Sequence, residues 1–262
     1  MDLGLTGKRA LVLAGSAGLG FAVARQLSLE GARVTLCSRD LNRARSAAAE
    51  IAAETGGTVA GEMADVADAS SLERLFASTV ATMGGLDVLV CNAGGPPPGG
   101  FKSLAEESWD HAYQLTLMSV VRSVRLALPH FTETGGGSVL VLGSSSVKQP
   151  IPNLLLSNVF RPAIHGLVKH LTEELAPAGV RVNMLSPGRV LTGRIEQLDA
   201  AQAKREDRSV EEVRADSVGR IPLGRLGTPE EFGKVAAFMV SDAASYLTGS
   251  SLLVDGGMVR AL

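Results

Sequence analysis

Residues 10–20 read Ala-Leu-Val-Leu-Ala-Gly-Ser-Ala-Gly-Leu-Gly. The apolar run ending at Ala14 predicts a buried strand. The small residues after it predict a tight turn, and Leu19–Glu30, apolar at helical spacing, predicts a helix. A strand that is apolar at successive positions is covered on both faces, as in a parallel sheet. Gly18 and Gly20 lack side chains, so backbone can approach a pyrophosphate and the helix can pack on the strand. The helix start offers free N–H groups and partial positive charge to phosphate. The turn therefore reads as a dinucleotide site built by Ala14, Ser16, Gly18, Leu19 and Gly20. Ala14 is expected at negative φ, which alanine adopts without strain. A glycine-rich turn alone is weak evidence, so the reading depends on what surrounds it.

Outward from this unit the rhythm repeats. Arg9–Ala14, Arg33–Cys37, Thr58–Met63, Asp87–Cys91, Ser138–Leu142, Val180–Leu185 and Ser251–Val254 read as strands. Leu19–Glu30, Leu41–Thr55, Ser70–Met83, Trp109–Thr132, Leu156–Ala176 and Pro229–Ser241 read as helices between them. Such alternation predicts βαβ units, a mostly parallel seven-stranded sheet and right-handed crossovers that place helices on both faces. The chain has 262 residues, 45% of them hydrophobic, with 30 glycines, and shows no repeat or linker. One doubly wound α/β Rossmann domain over residues 1–262 is the expectation. Residues 192–220 break the rhythm with a charged stretch after the sixth strand, read as a mobile helical flap over substrate.

Composition narrows the function. The net charge is −2 with no basic stripe, so nucleic-acid binding has no electrostatic support. No apolar run reaches the length of a membrane span, and the first residues hold no secretory h-region. The expected location is the cytoplasm, with Cys37 and Cys91 reduced, buried and inert. The four histidines fall on helices without metal-ligand spacing, so no metal is expected. The second strand ends Ser38-Arg39. An acidic residue there would hold a ribose 2′-hydroxyl, whereas an arginine accommodates a 2′-phosphate. NADP(H) is thus expected in preference to NAD(H).

Several motifs in chain order resemble the short-chain dehydrogenase/reductase family. Residues 13–20 resemble T-G-x-x-x-G-x-G, with Leu13 for Thr and Ala14 for the first Gly. Asp65-Val66 resembles the family's adenine-contacting pair. Cys91-Asn92-Ala93-Gly94 resembles N-N-A-G. Pro187-Gly188, with Val190 and Thr192 after it, resembles the P-G-x-x-x-T segment that holds carboxamide and phosphates. Thr6-Gly7-Lys8 and Asp255-Gly256-Gly257 also fit, so the resemblance spans essentially the whole chain. It implies a hydride-transferring enzyme acting on a small carbonyl substrate. It also implies a homodimer or homotetramer formed through the two long helices, near Trp109–Thr132 and Leu156–Ala176.

The chemical end departs from that pattern. Residues 137–161 read Gly-Ser-Val-Leu-Val-Leu-Gly-Ser-Ser-Ser-Val-Lys-Gln-Pro-Ile-Pro-Asn-Leu-Leu-Leu-Ser-Asn-Val-Phe-Arg. Ser144 fits the family's carbonyl-polarising serine. The Tyr of Y-x-x-x-K is Ser157, the Lys is Arg161, and the Asn of the long helix falls at Thr116. An aliphatic alcohol is a far poorer acid than a phenol, and a guanidinium does not duplicate an ammonium. Ser157 reads better as a helix-cap or packing residue than as a proton donor. Lys148, two residues beyond the serines, is the alternative donor, against an ordinary solvated lysine. Pro162 leaves two choices. The helix starts near it, where proline is welcome, or it kinks there at a cost of ~3 kcal/mol. The loop Gly94–Phe101 (GGPPPGGF) is expected to wall the substrate pocket. Together with S-N-x-x-R it resembles a bacterial subgroup labelled oxoacyl-carrier-protein reductases. Two expectations result: an NADPH-dependent reductase of a small carbonyl or 3-oxoacyl compound with an atypical tetrad, which is preferred, and a catalytically degenerate dinucleotide-binding or regulatory protein.

Overall fold

The computed structural model describes residues 2–261. Seven strands, β1 (Arg9–Val12), β2 (Arg33–Ser38), β3 (Val59–Met63), β4 (Val88–Cys91), β5 (Gly137–Leu142), β6 (Val180–Pro187) and β7 (Ser251–Val254), form one sheet in the order β3-β2-β1-β4-β5-β6-β7. All the pairings are parallel. The reason is visible along each strand: Ala10 and Val12 enter one apolar core, Leu11 and Leu13 the other. In the same way Leu140 and Leu142 point opposite to Val139 and Val141. Both faces are buried, so both need helices.

Helices α1 (Gly18–Leu29), α2 (Leu41–Thr55) and α9 (Pro229–Val240) cover the first face. Helices α3 (Ala69–Met83), α5 (Ser119–Glu133) and α6 (Leu155–Leu175) cover the second. Gly233 lets α9 come close to α1, since a Cβ there would lie 2.6 Å from the Ala22 carbonyl oxygen. The long helix expected over Trp109–Thr132 starts earlier and is not uniform. It runs as α4 (Glu106–Ala112), a π-helical turn (Tyr113–Met118) and α5. The 192–220 segment folds into α7 (Gly193–Glu206) and α8 (Val210–Gly219). Asp207, at φ +51, ends α7.

Sheet order reverses between β1 and β4. The crevice beyond the carboxyl ends of these strands is where sheets of this kind bind ligands. The turn at Ala14, the turn at Asn92 and the serines after β5 all open onto this edge.

Candidate active site

The turn into α1 is where the sequence reading places the phosphates. Ala17, at the N-cap of α1, makes no side-chain cap bond, so the helix leaves its first N–H groups to a ligand. Gly18 is left-handed at φ +58, and a Cβ on it would lie 3.7 Å from the side chain of Thr192. Thr192 stands at the N-cap of α7 without capping it, so its hydroxyl also remains free for a ligand. Gly20 has no room for a side chain: a Cβ would meet the Ala14 carbonyl at 2.5 Å and the Asn92 Nδ2 at 2.6 Å.

Ala14 corrects the expectation stated for it. Its φ is +47, in the left-handed region that costs a non-glycine residue about 1–2 kcal/mol. Tertiary bonds hold it there. Its N–H donates to the Cys37 Sγ at 3.4 Å, and its carbonyl accepts from Asn92 Nδ2 at 3.1 Å. Asn92 thereby ties the β4 end to the β1 turn, with Ala93 half-buried and Gly94 exposed beside it. Cys37 and Cys91 are free and buried, and burial pushes both thiols up to about 12.

At the end of β2, where the sequence reading places the adenosine, Arg39 is exposed and Ser38 half-buried. The next acid, Asp40, caps α2 by accepting from the N–H groups of Asn42 and Arg43 at 2.8 and 3.2 Å. Asp65 accepts from the Ala67 N–H at 3.0 Å, and Val66 is buried below it. Gly188 packs flat on Asp255, where a Cβ would lie 2.5 Å from the Asp255 Cβ. Pro187 ends β6, and Val190 is buried and bridges to Gly227.

At the chemical end, Ser144 has extended backbone and accepts the Ser146 N–H at 3.1 Å. That bond uses an acceptor site and leaves the hydroxyl proton to donate outward. Ser157 lies inside α6 and is not its cap, so only the packing half of that expectation fits. It is buried, 3.2 Å from the Ser146 hydroxyl. Thr116 is buried within the π-turn, and its Oγ1 has no partner. The Ser119 hydroxyl, at the start of α5, donates to the Leu115 carbonyl of that turn at 2.6 Å. Lys148 is exposed, and its charge, with that of Lys169, adds to burial in lowering the pKa of His165. No titratable group bonds to Ser144 among the described residues.

Arg161 is 8% exposed, and its Nη1 donates to the Leu142 carbonyl at 2.6 Å while its Nε finds no partner. Burial, helped by the charge of Arg194, pushes this guanidinium down to about 10. Of the two choices for Pro162, a helix start is excluded: α6 runs from Leu155 to Leu175 with Pro162 exposed in its interior, the position where the alternative placed a kink. The end of the triple-proline loop packs against the segment that leads into α6. The Gly99 N–H donates to the Asn153 carbonyl at 2.7 Å, and a recess of about 320 Å³ lies between Gly99–Phe101 and the Pro150–Asn158 segment.

Two residues escaped the sequence reading. Arg194 reaches from α7 across the crevice, and its Nη2 donates to the Pro96 carbonyl at 2.8 Å. Asp199, fully buried on α7, pairs with Arg189 and with Arg214 of α8. For Arg194 a signal existed, because it follows Thr192 by two positions. For Asp199 there was none in a segment crowded with charge.

A family model described as enoyl-(acyl carrier protein) reductase matches residues 13–259. The chain is 36% identical over 259 residues to the dehydrogenase/reductase SDR family member 4 of Sus scrofa, covering 98% of this chain and 89% of that protein. Among solved structures, the L-sorbose reductase of Gluconobacter frateurii, complexed with NADPH and L-sorbose, superposes with a TM-score of 0.95 at 30% identity over the whole of both chains. A single-substitution variant of the actinorhodin polyketide ketoreductase, with NADPH, superposes at 0.93 and 30% identity, over 97% of this chain and 98% of that one.

Proposed function

This chain belongs to the short-chain dehydrogenase/reductase family, and from that premise we propose that it is an NADPH-dependent reductase of a small carbonyl or 3-oxoacyl compound with an atypical tetrad. The observation that carries the reading is Ser144: it accepts the Ser146 N–H and keeps its own proton to donate. The residues present suit a nicotinamide dinucleotide, because the uncapped start of α1, Gly18 and the free Thr192 hydroxyl form a cradle that a side chain would fill. When bound, the coenzyme supplies the hydride. Ser144 donates a hydrogen bond to the carbonyl oxygen as charge develops there. Arg161 holds ribose hydroxyls and keeps the site positive. With no phenol at position 157, the proton comes from water or from Lys148, and the reaction is slower for it, since a lost general acid costs about 10²–10⁴ in rate.

Arg39 favours a 2′-phosphate, and the nearby Asp40 is already committed to capping α2. Helices α7 and α8 act as the cover over substrate. The protein works in the cytoplasm as a homodimer or homotetramer joined through the α4–α5 and α6 helices, whose faces leave Tyr113 40% and Val159 43% exposed. One observation favours the second reading, a dinucleotide-binding protein without turnover: no titratable group is hydrogen-bonded to Ser144 among the described residues.

The deciding experiment is NADPH consumption across ketones, aldehydes and short oxoacyl thioesters. Turnover that Ser144→Ala abolishes supports the reductase. Tight NADPH binding with no turnover on any of them selects the second reading. A Lys148→Ala variant with unchanged rate assigns the proton to water.

A further inference from the structure

The cleft holds two guanidinium groups and, among the described residues, no carboxylate bonded to either. Arg161 is buried, spends Nη1 on the Leu142 carbonyl and leaves Nε without a partner. Arg194 spends Nη2 on the Pro96 carbonyl, and its guanidinium lies flat over Gly95, where a Cβ would stand 2.9 Å from it. Both anchors lie at the carboxyl ends of adjacent strands, β5 and β4, on the side that carries Ser144 and the triple-proline loop. The coenzyme phosphates have their own donors elsewhere, at the start of α1 and at Arg39. A buried cation whose donor is unused costs free energy unless something charged completes it.

Resting on the reductase reading, we infer that Arg194 receives a carboxylate borne by the carbonyl substrate, with the buried charge of Arg161 adding its attraction from the ribose side, so that the protein selects oxo acids over neutral ketones. The fork geometry of guanidinium matches a carboxylate in two parallel bonds. Burial lowers the pKa of each arginine, and the charge of Arg194 lowers that of Arg161 further. An incoming anion relieves both effects. Gly95 is the enabling residue, because any side chain there would push Arg194 off the loop. Moving to the carboxylate requires only that Arg194 exchange one carbonyl acceptor for a charged one.

The test uses pyruvate and acetoacetate with their methyl esters. Calorimetry in the presence of saturating NADP⁺ reads binding without turnover, and NADPH consumption reads the reaction. The acids are expected to bind at least about tenfold more tightly than the esters, the worth of one charge-assisted hydrogen bond. Arg194→Met is expected to reduce that preference about tenfold and Arg194→Lys to keep most of it. Equal binding of acid and ester overturns the inference. So does an Arg194→Met variant whose main loss is affinity for NADP⁺ itself, which would assign this arginine to the coenzyme phosphates. Acids that bind selectively while no compound consumes NADPH would retain the carboxylate site and overturn the reductase reading instead.

Discussion

At the scale of single residues, Ala14 shows most clearly how site and stability conflict. Local preference places alanine at negative φ, yet the bonds to Cys37 and Asn92 hold it at +47. Both bonds use backbone atoms, so a glycine keeps them and removes the Cβ clash. Ala14→Gly is expected to stabilise the fold by about 0.5–1 kcal/mol, the left-handed penalty less the entropy a glycine adds to the unfolded chain. A urea midpoint that rises with unchanged slope is the expected readout, and a falling midpoint would show that the turn is not strained. This is also where the sequence misled. Gly18 and Gly20 announced a tight turn, whereas the sign of φ at Ala14 depends on atoms contributed by two other strands. Ser157 was legible in the opposite sense. Its hydroxyl is a poor acid on any fold, and the structure adds only the neighbour, Ser146, that occupies it.

At the scale of elements, strands were legible because doubly buried parallel strands are continuous apolar runs with little alternative. The π-turn at Tyr113–Met118 was not, since it adds one residue to a helix whose side chains keep a helical spacing. The placing of Pro162 inside α6 carries a consequence. It lacks the N–H that would bond the Asn158 carbonyl, and it is exposed. Pro162→Ala is therefore expected to add about 1–3 kcal/mol, measured by thermal or urea unfolding; no gain would mean that the helix bends to suit the proline. The α7–α8 segment makes a second case. Its apolar contribution is small, and buried Asp199 ties α7 both to Arg189 behind β6 and to Arg214 on α8. Asp199→Asn removes the charge and leaves two cations facing each other. The arginines are partly solvated, so the expected cost is about 2–3 kcal/mol, below that of a fully buried pair. Hydrogen exchange should accelerate across residues 193–219 and leave β4 and β5 unchanged. Equal acceleration in the sheet would make Asp199 a global rather than a local tie.

At the scale of the whole molecule, coenzyme and fold are linked thermodynamically. The cradle exists only when β1, β4 and β6 are assembled, because Gly18, Asn92 and Thr192 come from turns far apart in the chain. A ligand of that cradle binds the native state and not the unfolded one, and stabilises it by about 2.7 kcal/mol at a hundred times its Kd. For a chain of this size that amounts to a rise of about 5–10 °C in Tm. At equal concentrations NADPH is expected to give a larger rise than NADH, because on the proposed reading Arg39 would meet the 2′-phosphate while Asp40 is held in the α2 cap. In Arg39→Ala the NADPH rise should fall toward the NADH value, with the NADH rise little changed. The comparison separates two errors. A larger rise with NADH would overturn the role given to Arg39 and leave the dinucleotide site standing. No rise with any nicotinamide nucleotide would remove the site itself, since no tight ligand of the native state can avoid raising Tm.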